Sequence, residues 1–176
     1  MIEKFIQLAL LLVVFGCGSA KQVPVHKEPL WQSWNVVTEL QAQEPKPILI
    51  DIYTNWCVYC KKMDATTYRN DSVVAYMRQH YYRYKLNGEG KDTIRWAKQQ
   101  FTFNPRYDTH DFVVYLTRGK TVYPTTVIIT PGGQPFYQHG ELKPGDLELL
   151  LKYFASPRRK EQTLEAFAAD FKPTWK

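Results

Sequence analysis

Cysteine is scarce in this chain, with three among 176 residues, which excludes a scaffold held by many disulfides. No apolar run reaches about 18 residues, so a bundle of membrane-spanning helices is excluded. Nine glycines and eleven prolines, without a period, exclude a fibrous chain. The histidines, His26, His80, His110 and His139, are scattered and read as surface residues. They complete no ligand cluster with cysteine, so no metal site is expected, and no cofactor motif is present. Neither sign of charge dominates: 23 basic against 17 acidic side chains gives +6, spread along the chain. No nucleic-acid partner is expected from that balance, and Arg158-Arg159-Lys160 reads as a solvated linker.

What is present suffices for one core. The chain is 44% apolar and 15% aromatic, which excludes a wholly disordered protein. Its length fits one domain and hardly two.

The start reads as an address. Residues Ile6 to Phe15 are apolar apart from Gln7. A helix over them would be about 15 Å long, short of a hydrocarbon core of about 30 Å. That fits the h-region of a secretory signal. Val14-Phe15-Gly16-Cys17 resembles the lipobox of bacterial lipoproteins. The resemblance implies a signal peptide over 1–16, lipidation of Cys17 and a polar tether over 17–29. An ordinary cleaved signal and an uncleaved anchor are the alternatives. An exported protein lives where disulfides persist.

Downstream, Trp31 to Ala42 has helical spacing and Ile48 to Tyr53 reads as a buried central strand, with Asp51 its odd member. A helix follows from about Cys57. Asn70-Asp71-Ser72 breaks it and caps a second piece. Tyr82 to Leu86 reads as a strand, and Thr93 to Phe101 as a helix with Ile94, Ala97 and Phe101 on one side. Phe112 to Leu116 fits strand or helix. Val122 to Thr130 and Phe136 to His139 read as strands joined at Pro131-Gly132-Gly133-Gln134. A helix starts at Pro144, and Leu164 to Phe171 is a last amphipathic helix. A βαβ start followed by a hairpin and a helix gives an α/β mixed sheet flanked by helices.

Cys57-Val58-Tyr59-Cys60 is a C-x-x-C directly after a strand, opening a helix. Beside a βαβ pattern this reads as a redox centre. Residues three apart face each other in a first helical turn. Unpaired N–H groups and the helix dipole there favour a thiolate, which is the attacking species. A structural disulfide and half a zinc site are the bland alternatives.

The run Ile50 to Lys61 resembles the thioredoxin superfamily. With Thr67-Tyr68, Asn70 and Val73 it is most similar to the C-terminal domain of DsbD-type thiol:disulfide interchange proteins. Tyr123-Pro124-Thr125 is similar to the cis-proline loop, and the likeness covers roughly residues 30–155. It implies a thioredoxin fold over that span, and the last amphipathic helix makes 156–176 a C-terminal helical extension. It implies Cys57 as attacking thiol and Cys60 as resolving thiol, closing a redox disulfide. It further implies Asp51 as a buried proton acceptor, Trp56 packed beside the disulfide and Lys61 adding positive charge. Pro124 would be cis, with Tyr123 and Thr125 beside it, and its backbone would receive an extended substrate.

Two features depart from the family. Phe101 to Pro124 is long, which suggests an insertion over about 102–121, a lip that selects substrates or a reducing partner. Val58-Tyr59 is not the Gly-Pro of thioredoxin; Val at that position agrees with the reducing interchange domains. The expected protein is therefore a periplasm-facing thiol:disulfide oxidoreductase, a reductase or electron relay. It would be a lipid-anchored monomer, the outer membrane slightly preferred. Its partners would be protein disulfides and a thiol donor or acceptor protein. An isomerase or oxidase, and a non-catalytic client-binding module, are the alternatives.

Overall fold

The structure, a computed structural model, describes residues 29–176. The signal peptide, Cys17 and all of the tether but its last residue lie outside the described residues, as does His26.

The element order is α1 (Trp34–Gln43), β1 (Ile48–Tyr53), α2 (Val58–Ala65), α3 (Asp71–His80), β2 (Tyr82–Asn87), β3 (Ile94–Trp96), β4 (Gln99–Phe101), β5 (Phe103–Asn104), β6 (Thr109–His110), α4 (Asp111–Thr117), β7 (Thr125–Ile129), β8 (Phe136–His139), α5 (Pro144–Ala155) and α6 (Leu164–Asp170). Short 3₁₀ turns sit at Thr67–Arg69 and Pro157–Lys160. The main sheet has four strands in the order β2-β1-β7-β8. β1 and β2 are parallel, while β7 runs antiparallel to β1 and to β8.

Alternation along β1 sorts its side chains between two layers. Ile48, Ile50 and Ile52 join a core with Trp34 and Val37 of α1 and Phe112 and Leu116 of α4. Leu49 joins the opposite core with Met63 of α2, Val73 and Met77 of α3 and Leu147 and Leu151 of α5. Asp51 is two residues from Leu49 and so faces the α2 layer.

Thr93 to Phe101 is not a helix. Ile94 pairs with Phe101 across a hairpin whose turn residues, Ala97 and Lys98, have φ of 49° and 63°. A spacing of seven suits two helical turns, but it equally brings two residues face to face across a short turn. Trp34 fixes the hairpin, donating its indole N–H to Arg95 O at 3.0 Å. The helix before the cis-proline is α4 instead, with Phe112, Val113 and Leu116 in the core. The 102–121 segment is thus not one excursion: α4 belongs to the core, and the hairpins β3–β4 and β5–β6 precede it. His110 is no surface residue either. It is buried and caps α4, its Nδ1 accepting from Phe112 N–H at 3.0 Å while Nε2 meets Asp92 O at 2.8 Å.

The C-terminal segment is strapped down by a buried acid. Glu148 is fully buried on α5 and accepts from Thr174 N–H (2.6 Å), the Thr174 hydroxyl (2.7 Å) and Trp175 N–H (2.8 Å), with Lys152 Nζ at 2.5 Å. Burial opposes its charge, but these donors together outweigh burial and hold its carboxyl below the ordinary 4.5. Its stability contribution is therefore present above that value and lost as pH falls through the lowered one. Glu148→Gln is expected to cost about 1–2 kcal/mol at pH 7 and to expose residues 171–176 to limited proteolysis. The cost should shrink on acidification, read by urea unfolding at pH 7 and pH 4.

Among the described residues, no helix is long and apolar enough to cross a membrane.

Candidate active site

β1 delivers the chain through Thr54-Asn55-Trp56 to the first turn of α2. Cys57 is the N-cap of that helix, and its Sγ accepts the Cys60 backbone N–H at 3.1 Å. One of the N–H donors left unpaired in the first turn of the helix therefore points at the first sulfur. Cys57 and Cys60 form a disulfide and are 4% and 2% exposed. Their surroundings are not buried: Trp56, Val58 and Tyr59 are 63%, 72% and 59% exposed. A covered disulfide thus sits inside an open apolar rim, a surface that a partner can dry.

Strand register and α2 together build an acid cluster on the α2 side of the sheet. Asp51 is opposite Lys85 on β2 and opposite Thr126 on β7. Lys85 Nζ is 3.4 Å from Asp51 Oδ2 and also pairs with Asp64 on α2. Asp51 Oδ1, Tyr68 OH and Thr126 Oγ1 are buried, and none makes a hydrogen bond of good geometry to another protein group. Burial pushes the Asp51 carboxyl up from 3.8 to about 6; Lys85 opposes the rise and Asp64 adds to it. Tyr68 is raised well above 10 by burial and then by the Asp51 charge, so it stays a neutral phenol.

The Tyr123–Pro124 peptide is cis. Pro124 O accepts from Gly140 N–H at 2.9 Å, and the Thr125 hydroxyl donates to Val122 O at 2.6 Å. His139 Nδ1 is 2.7 Å from the same hydroxyl. Trp56 meets Tyr123 edge to face, with centroids 5.8 Å apart, and its indole N–H donates to Glu89 Oε1 at 2.6 Å. Lys61 is exposed on α2; its backbone N–H bonds Cys57 O at 3.3 Å.

Asp51, Trp56, Cys57 and Cys60 lie on or between consecutive elements, and local sequence finds them. Asp64 and Tyr68 follow on α2 and the turn after it, and Tyr68 belongs to the run that carried the resemblance; Lys85, Gly88, Glu89 and Thr109 reach the site through register and loop folding, and no local motif marks them. Among the described residues no cluster of His, Cys, Asp or Glu could hold a metal ion.

Fold, cis-peptide and N-capping disulfide define a thioredoxin-fold protein with a C-x-x-C pair, the arrangement of thiol:disulfide oxidoreductases. The chain belongs to the thioredoxin-like domain family, whose model matches residues 35–155. It is similar to the thiol:disulfide interchange protein DsbD of Vibrio vulnificus, 38% identical over 40 residues. That match spans 23% of this chain and 7% of the relative's length. Among solved structures, a thioredoxin-fold protein from Helicobacter pylori superposes with a TM-score of 0.52 at 14% identity, over 71% of this chain and 83% of that one. A DsbH oxidoreductase superposes with a TM-score of 0.49 at 18% identity, over 71% and 82%. The first of these two likenesses speaks to fold.

Proposed function

We propose that the protein is a thiol:disulfide oxidoreductase working as a reductase or electron relay, tethered by lipid at Cys17 and facing the periplasm. The observation that carries the activity is the Cys57–Cys60 disulfide at the N-terminus of α2, following a strand that carries a buried acid whose carboxyl is raised to about 6. The tether rests on Val14-Phe15-Gly16-Cys17.

In the reduced protein the Cys57 thiolate attacks one sulfur of a substrate disulfide. A mixed disulfide forms and the first substrate sulfur leaves as a thiolate. Asp51 takes the Cys60 proton, by direct contact or through Lys85 and solvent. The Cys60 thiolate attacks Cys57 Sγ, the intramolecular disulfide closes and the second substrate thiolate leaves. Two electrons have passed to the substrate, and solvent protons complete its two thiols. A thiol donor protein restores the dithiol by the reverse sequence. Lys61 favours the thiolate form, and the exposed Trp56, Val58 and Tyr59 beside the cis-Pro124 edge receive an extended polypeptide. The working unit is a monomer.

The deciding measurement is the reduction potential of the domain in glutathione and dithiothreitol buffers. A value below about −220 mV is expected; one above about −150 mV would make the protein an oxidant. Metabolic labelling with palmitate, lost in Cys17→Ala, tests the tether independently.

A further inference from the structure

The β5–β6 hairpin touches the redox rim through one side chain. Thr109 Oγ1 lies 3.0 Å from Tyr123 OH and donates to Gly88 O at 3.2 Å. A threonine hydroxyl has one proton, so with that proton on Gly88 O the Tyr123 hydroxyl donates to Thr109. The ring also leans on Gly88, where an added Cβ would come within 2.4 Å of the phenol oxygen. Gly88 is held in turn, its N–H on Tyr53 O at 2.7 Å and its O accepting His110 N–H, also at 2.7 Å. On its other side Tyr123 meets Trp56 edge to face. Burial raises the Tyr123 phenol above 10; the Thr109 contact opposes the rise, the Glu89 and Asp108 carboxylates add to it, and the phenol keeps its proton. One residue, next to Pro124 in sequence, thus joins the hairpin, the turn after β2 and the indole beside Cys57.

We propose that Tyr123, held through Thr109 by the β5–β6 hairpin, is a positioning residue that sets the Trp56–Pro124 rim for polypeptide disulfides and leaves small disulfides unaffected. The inference rests on the oxidoreductase reading and adds its selectivity. A small disulfide needs only Cys57 Sγ. A polypeptide must also lie along the indole and the cis-proline edge, so it senses where Tyr123 holds them. The hairpin acts through Tyr123 and need not touch the reacting sulfurs.

The test uses the prereduced protein in single-turnover oxidation by insulin and, separately, by oxidised glutathione. Tyr123→Phe and Thr109→Val each remove the tie with little change of side-chain volume; Thr109→Val also removes a donor to Gly88 O, which His110 N–H still satisfies. Each is expected to slow the insulin reaction about five-fold, the double variant no further, as one shared hydrogen bond requires. Thr109→Ser keeps the hydroxyl and should restore the insulin rate. Gly88→Ala displaces the ring without removing a polar group and should slow insulin at least as much. The glutathione rate and the reduction potential should stay unchanged throughout. The Trp56 indole N–H resonance, assigned with Trp56→Phe, should move in the two tie-breaking variants and return in Thr109→Ser, which reads the rim directly.

Unchanged insulin rates in both tie-breaking variants would overturn the inference. Insulin and glutathione rates falling together would overturn it too, since the tie would then act on the dithiol itself. A wild-type protein oxidised by neither probe would instead remove the proposed function, and this inference with it.

Discussion

Cys57→Ser is expected to abolish disulfide exchange, lowering the rate by about a thousand-fold or more, as loss of a nucleophile does elsewhere. A serine hydroxyl is not ionised near neutral pH, and neither the Cys60 N–H nor the helix dipole closes that gap. Cys60→Ser should behave differently. Cys57 still attacks, but no second thiol resolves the product, so mixed disulfides with substrate accumulate. Mass spectrometry after incubation of each variant with insulin separates the two outcomes: no adduct for Cys57→Ser, a stable adduct for Cys60→Ser. Adducts on Cys60 in the first variant would reverse the assigned roles. Full function of Cys57→Ser in the cell would leave only a client-binding module.

Asp51→Asn is expected to stabilise the protein at neutral pH while slowing it. Burial holds the Asp51 carboxyl at about 6, against 3.8 for the ordinary group. The folded state therefore binds the proton more tightly than the unfolded chain. The stability tied to this proton is fully present below about 3.8 and is lost as pH rises through about 6. The gap is worth up to ~3 kcal/mol at pH 7.5. Removing the charge should return that amount, and the gain should vanish near pH 4. Comparing wild type with variant at each pH cancels the opposite trend from Glu148. The same substitution removes the acceptor for the Cys60 proton, so mixed-disulfide resolution should slow about 100-fold. Equal stability of the two proteins at pH 7.5 would mean that Lys85 fully compensates the buried charge.

The sequence shows the fold wherever pattern and local chemistry agree. β1 is an unbroken β-rich run between Pro47 and the C-x-x-C, α3 is announced by Asn70, whose side chain accepts Ser72 and Val73 N–H at 3.1 Å each, and α5 opens on Pro144. Reading fails between β2 and β7. The β3–β4 turn uses Ala97 and Lys98 at positive φ, where Asn-Gly or Asp-Gly would have signalled a hairpin. His110 caps α4 from inside the core, a role no motif announces. The site divides the same way. A dithiol at a helix N-terminus is local chemistry, and the acid on the preceding strand is a charge inside an apolar run. The Lys85 partner depends on parallel register with β2, and the Thr109–Tyr123 tie depends on a hairpin that sequence alone leaves unplaced.

The two borders of the main sheet are not alike. Beside β2 the chain before α1 forms a parallel bridge, Gln32 to Tyr84, with Gln32 N–H on Arg83 O at 2.8 Å and Arg83 N–H on Gln32 Oε1 at 3.0 Å. β8 is the opposite border. A row of unpaired amides is a template for another chain, and among the described residues only the β8 border carries no bridge from a further segment. Association by strand addition therefore has a built-in stop. Two copies joined β8 to β8 would consume both templates, and the stack would end at a pair rather than grow into a fibre.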